Sequence, residues 1–294
     1  MPSYALTCCS TTDLTAAWLD GINVGYLFFN YELDGVPCKD DFGKTHSPKE
    51  LYASMLNGAT AKTSQVSIGE YMEFWAPLLE AGQDVLHVSL SSGISGTYGS
   101  ACAARDALRR VFPERSLIVI DSLCASAGYG LLVDRMARLR DAGMGLDELA
   151  SWATRHRLEV QHWFFSSDLS FFVRGGRISK VAGVVGGMLK ICPVMNVEAD
   201  GTLAVKEKIR TKAKAERRVV ALMHQLARDG DDYADKVFIS NADCLDDARA
   251  VSSMIEAQFP QIDGPVHHFD VGATIGCHTG PGTVALFFWG APRT

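Results

Sequence analysis

Short apolar runs along this chain alternate with stretches in which apolar residues recur at helical spacing, each pair separated by a polar or glycine-containing break. Residues 85–90 (VLHVSL) predict a strand, followed by a Ser/Gly loop and a helix over 98–110. Residues 116–120 (SLIVI) predict a buried strand, then a turn and a long amphipathic helix over 128–142. After the break Ala142-Gly143-Met144-Gly145, another helix is expected over 146–156. Such alternation places strands side by side with helical crossovers, so the first half reads as an α/β layer on a parallel sheet.

The second half has a different rhythm. Strands are expected at 162–166, 194–197 and 203–209, the last two flanking the hairpin signal Ala199-Asp200-Gly201. Residues 183–189 are apolar and glycine-rich, helices follow at 212–228 and 246–258, and further strands at 236–240 and 284–288. The fold class is thus α/β in two domains: a parallel-sheet α/β domain over 1–163 and a mixed α+β domain over 164–294.

Composition narrows the function classes. With 294 residues, 47% apolar and 21% charged, the chain can bury a sizeable core. Its most apolar segment, 178–197, is broken by Lys180, Lys190 and Pro193, and residues 1–10 lack a basic region followed by an apolar one. No integral membrane association and no secretory signal are therefore expected. Eight scattered cysteines without a Cys-x-x-Cys pair suit reduced thiols in the cytoplasm and do not suit a zinc site. The net charge of −6 argues against nucleic acid as a partner, although residues 206–218 carry seven cations against Glu207 and Glu216. That run is either a solvated face or a docking patch for an acidic partner.

Four segments could carry chemistry. Ser89-Leu90-Ser91-Ser92-Gly93-Ile94-Ser95-Gly96-Thr97 joins a strand to a helix, where unpaired amides and hydroxyls favour an anion. Capping by Ser95 or Thr97 is the simpler reading, but it does not need five hydroxyls. The segment is no nucleophile elbow, since Gly93-Ile94-Ser95-Gly96-Thr97 puts glycine one position early. Gly43-Lys44-Thr45 is no P-loop either, because Cys38 stands where its first glycine belongs. Lys62–Ser67 (KTSQVS) precedes a helix over 68–79, with Ser67 as N-cap and Glu70 completing a capping box. Gly276-Cys277-His278-Thr279-Gly280-Pro281-Gly282 predicts a tight loop presenting His278 and Thr279, and Arg174–Lys180 (RGGRISK) an exposed basic turn.

Taken in order, KTSQVS, 91–101 (SSGISGTYGSA), 121–131 (DSLCASAGYGL), RGGRISK, 206–213 (KEKIRTKA) and 275–282 (IGCHTGPG) resemble the DegV family of bacterial fatty-acid-binding proteins. The resemblance implies a DegV-like two-domain fold with a long-chain fatty acid buried between or beneath the domains and no cofactor or metal. Its carboxylate would be held at Thr63, Ser91, Ser92, Gly93, Ser95, His278 and Thr279, without a fixed cation nearby. It also implies a possible partner, a separate fatty acid kinase that phosphorylates the presented carboxylate, with Arg177 and Arg210 at the contact. In this reading the chain is a carrier and not an enzyme; the alternative is a serine hydrolase or acyltransferase using Ser92 or Ser95 with His278. Where the family has an aspartate at the end of the first strand this chain has Cys9, which removes a carboxylate from the expected head-group region, whereas Asp13 is kept.

Overall fold

The structure, a computed structural model, describes residues 4–178 and 191–294. The apolar stretch 183–189 and the Ser179-Lys180 end of the basic turn lie outside the described residues. In chain order the elements begin with β1 (Tyr4–Cys9), α1 (Ala16–Gly21), β2 (Gly25–Leu27), β3 (Asn30–Leu33), β4 (Val36–Lys39), α2 (Pro48–Leu56), β5 (Ala61–Ser64) and α3 (Ile68–Glu80). Next come β6 (Asp84–Ser89), α4 (Thr97–Val111), β7 (Leu117–Asp121), α5 (Ser126–Asp141), α6 (Leu146–His156), β8 (Val160–Ser166) and α7 (Ser170–Arg174). The rest are β9 (Ile191–Val197), β10 (Leu203–Arg210), α8 (Lys212–Leu226), β11 (Phe238–Asn241), α9 (Leu245–Gln258), β12 (His267–Asp270), α10 (Ala273–Thr279) and β13 (Thr283–Trp289).

These strands form three sheets. The first, in the order β2-β1-β6-β7, is parallel throughout. Val85, Leu86, His87 and Val88 of β6 are all buried, as a strand covered on both faces requires. The second sheet, β10-β9-β8-β13-β11-β12, is antiparallel except for the β11–β12 pair. Its edge strand β10 alternates exposed Lys206, Lys208 and Arg210 with more buried neighbours, so one face meets solvent and the charges discourage further strand addition. A small antiparallel sheet, β4-β3-β5, has short, polar, half-exposed strands, and for that reason left no clear trace in the hydrophobic pattern. The expected division after residue 163 falls within β8, whose first residue, Val160, opens the second sheet.

α5 joins the two large sheets. It is buried along most of its length and packs against β8, β11 and β13, so a single apolar core runs from Leu6 and Val85 to Phe165 and Phe288. The second joint lies between the Ser/Gly loop and the β9–β10 hairpin. Ser91 Oγ donates to the Gly201 carbonyl at 2.8 Å, and a Cβ at Gly93 would stand 2.5 Å from the Gly201 carbonyl carbon. Backbone meets backbone there, and only glycine permits it. Replacing Gly93 with Ala should therefore push the hairpin away and destabilise the fold by about 1–3 kcal/mol, read as a melting temperature lower by several degrees; an unchanged melting curve would show that the hairpin is not seated on this loop.

Candidate functional site

A cavity lies where the three sheets and α10 converge. Its non-atom space, counting the solvent-facing mouth, is about 1010 Å³. The second sheet supplies one wall: Phe164 and His162 of β8, Val197 of β9, Leu203 of β10, and Ala285 and Phe287 of β13. Phe29, Leu90, Ile94, Phe172, Val271 and Ile275 enclose the rest, so most of the lining is apolar. His162 does not break that character. Its ring is fully buried, accepts the Ala125 amide at Nε2 (3.2 Å) and bonds the Val160 carbonyl through Nδ1 (2.9 Å), and burial holds it neutral.

Polar groups gather at one part of the lining. Thr63 Oγ1 and His278 Nε2 are 2.8 Å apart, joining β5 to α10 across 215 residues of chain. Ser95 and Arg177 line the same cavity. The guanidinium of Arg177 is anchored by the carbonyls of Ile94 (3.2 Å) and Gly175 (2.6 Å), leaving its charge beside the cavity. Burial, reinforced by the Arg177 charge, pushes the His278 imidazole down from 6.5 to about 4, so the ring is neutral near neutral pH. A neutral donor–acceptor pair next to a fixed guanidinium suits a carboxylate.

The residues expected at this site divide into two sets. Thr63, Ser95, His278 and Thr279 line the cavity together. Ser91, Ser92 and Gly93 are not among its lining residues. Ser91 holds the hairpin; Ser92 donates its hydroxyl to Asp121 Oδ2 (2.5 Å) while its amide bonds Oδ1 (3.0 Å). A head group without a nearby cation is corrected by Arg177, which is half-buried on the cavity wall although its segment reads as an exposed turn. Arg210 is exposed at the end of β10, remote in role from the lining. Among the described residues no serine pairs with His278, whose Nε2 is taken by Thr63 and whose Nδ1 has no hydrogen-bond partner. Gln65, Ser126, His162, Thr274 and Thr283 also line the cavity; Gln65 and Ser126 fall within the segments KTSQVS and DSLCASAGYGL, but none of the five was singled out by the sequence as a site residue.

His278 and Thr279 were expected on a loop; they end the helix α10. Two carboxylates from the far end of the chain make the difference. Asp40 accepts from the amides of Ala273 (3.0 Å) and Thr274 (3.1 Å), and Asp13 from that of Gly272 (3.0 Å), which satisfies the first turn of a short glycine-containing helix. Asp13 also takes the Ser126 hydroxyl, tying α5 to the same point. The helix ends at Gly280 with φ +64°, where a side chain would also collide with Phe171. Cys9, by contrast, is not a lining residue. Its thiol, raised to about 12 chiefly by burial, lies 3.4 Å from Tyr71 Oη and 3.9 Å from His87 Nε2, in the core of the first sheet.

The comparisons with known proteins agree with this architecture. The chain matches the DegV family model, described as an uncharacterised protein family, over residues 5–290, and it belongs to the DegV family. It is 34% identical to a DegV domain-containing protein of Lactococcus lactis, over 81% of this chain and 80% of that one. Among solved structures it is similar to a DegV family protein from Thermus thermophilus reported for fatty acid binding, with TM-score 0.86, 25% identity and coverage of 98% and 100%. It also shares its fold with the Streptococcus pneumoniae Fatty Acid Kinase (Fak) B3 protein loaded with linoleic acid, at TM-score 0.84, 20% identity and coverage of 98% and 100%.

A pH test follows from His278. A folded-state value of about 4 against 6.5 means that the unfolded chain takes up the proton first, so the stability from the neutral ring is present above pH 6.5 and lost as pH falls towards 4. The stability gap between the ligand-free protein and its His278→Gln variant should narrow over that interval in urea titrations, and a gap independent of pH would mean the ring is not held neutral.

Proposed function

We propose that this chain binds a long-chain fatty acid in the cavity, with the acyl chain along the apolar wall and the carboxylate at Thr63, Ser95, His278 and Arg177. The observation that carries this is a mostly apolar cavity in which Thr63, His278 and one cation, Arg177, sit together. Burial of methylenes contributes roughly 0.8 kcal/mol each, so a sixteen-carbon tail offers on the order of 10 kcal/mol before losses of motion are subtracted. A carboxylate brought along with the tail must be hydrogen-bonded, and the polar cluster provides for that. The fatty acid binding reported for the Thermus relative supports the same reading.

The chain then acts as carrier and presenter in the cytoplasm, and an ATP-dependent kinase is its partner. The polar end of the cavity would leave a carboxylate oxygen free to attack a phosphoryl group held by a second protein, whereas His278 Nε2 is taken by Thr63 and meets no serine among the described residues. A surface for that protein is available on β10 and α8. Lys206 pairs with Glu198, Lys212 with Asp247 and Arg218 with Glu207, while Lys208, Arg210, Lys214 and Arg217 are exposed without carboxylate partners among the described residues. Four uncompensated cations on a chain of net charge −6 favour an acidic docking face.

Native mass spectrometry of the purified protein should show a copurifying long-chain acid; a fully empty protein that also fails to take up palmitate would overturn the reading. In a Thr63→Val/Ser95→Ala double variant, loss of hydrogen bonds to a charged group should speed palmitate dissociation by about tenfold or more, and an unchanged exchange rate would remove both residues from the site. Arg210→Glu should lower kinase-dependent phosphorylation while sparing lipid affinity. Arg177→Glu should lower both, because Arg177 borders the cavity; if Arg210→Glu weakens lipid binding equally, β10 is not a docking surface.

A further inference from the structure

Gln65 lines the cavity and is at the same time an exposed residue, which places its side chain at the solvent-facing mouth. It stands two positions beyond Thr63, and its carboxamide crosses from that segment to the first turn of α4. There Nε2 donates to the Oγ of the buried Ser100 at 2.6 Å. The other end of the amide, Oε1, lies on Gly96, which directly follows Ser95 and also borders the cavity.

Gly96 shows that this placement is built into the loop. Its backbone, with φ −74° and ψ 0°, is one that any residue adopts, so conformation alone does not call for glycine here. What a side chain would meet is the Gln65 amide. An added Cβ would run into Oε1 and stand 3.2 Å from Cδ and 3.5 Å from Nε2, and no other residue's atoms come nearer. The missing side chain is the space in which the carboxamide lies. Its chemistry also suits the place. A serine hydroxyl accepts from Nε2 or, turned about its C–O bond, donates to Oε1, so the end of the amide over Gly96 is free to be oxygen or N–H. A carboxylate beside Ser95 draws the N–H end, because a charged acceptor makes the stronger hydrogen bond.

We infer that Gln65 is a further head-group residue, whose carboxamide closes over the bound carboxylate from the mouth and donates to it, held by Ser100 and by the bare Cα of Gly96. The inference rests on the fatty-acid reading above and deepens it. The test measures binding of palmitate, and of hexadecanol with its uncharged head, to delipidated full-length protein. Palmitate affinity should fall about tenfold in Gln65→Ala. It should fall further in Gln65→Glu, which keeps the shape but sets one carboxylate against another. Hexadecanol should bind the wild type and both variants equally. Gly96→Ala should weaken palmitate as Gln65→Ala does, and should add nothing when the two are combined, since both remove the same contact. Unchanged palmitate affinity in Gln65→Glu, or a loss that hexadecanol shares equally, overturns the inference and leaves fatty acid binding intact. So does a Gly96→Ala effect that persists undiminished without the Gln65 side chain. A wild type that takes up no palmitate would instead overturn the fatty-acid reading itself.

Discussion

The amides of Gly272, Ala273 and Thr274 are held by carboxylates that enter the chain more than two hundred residues earlier, at Asp13 and Asp40. Both carboxylates are buried, and burial raises both above the usual range. They are tolerable there because they face the positive end of a helix and accept from its unpaired amides. A helix of seven residues with a glycine inside would be marginal alone. Clamped at its start and stopped at Gly280, it aims His278 at Thr63 and puts Thr279 on the cavity wall. Asp13 holds the first residue of α5 through Ser126, so one buried contact sets the relation of β1, α5 and α10.

With that frame fixed, the cavity follows from how the layers differ. The second sheet turns an aromatic and aliphatic face inward, while β5 and α10 bring polar side chains to one part of the rim. Segregation of this kind suits an amphipathic ligand, because the tail gains from leaving water and the head group keeps its hydrogen bonds. Arg177 adds a fixed charge where Thr63 and His278 are both neutral, and that charge helps keep the imidazole unprotonated. The site thereby offers one fixed positive charge beside a neutral imidazole near neutral pH.

The Ser/Gly loop shows how one motif serves two ends. Ser91 and Gly93 are structural: one bonds the β9–β10 hairpin and the other lets it approach. Ser92 is bound to Asp121, which anchors the loop to the end of β7. Ser95 lies on the cavity, two residues beyond the backbone contact at Gly93, and its hydroxyl accepts the Thr97 amide (3.2 Å) at the start of α4, the capping role the sequence allowed. Five hydroxyls within nine residues read alike on paper, and only the fold shows that Ser95, and not Ser91 or Ser92, lines the cavity.

Much of the fold was legible because it is local. The buried strands β6, β7, β8 and β13, the helices α4 to α6, the β9–β10 hairpin and the Ser67–Glu70 capping box all follow from periodicity, turn chemistry and capping within a few residues. The polar strands β3 to β5 and the helix α10 did not, since what stabilises them is pairing and amide capping by distant residues. Thr63 and His278 were legible as unusual, yet their pairing was not. Sequence determined the strands and helices whose signals are local, because backbone preference and burial pattern act at short range. Tertiary structure alone decided which residues line the cavity, that Arg177 borders it, and that Cys9 belongs to the core, because those outcomes depend on contacts between residues far apart in the chain.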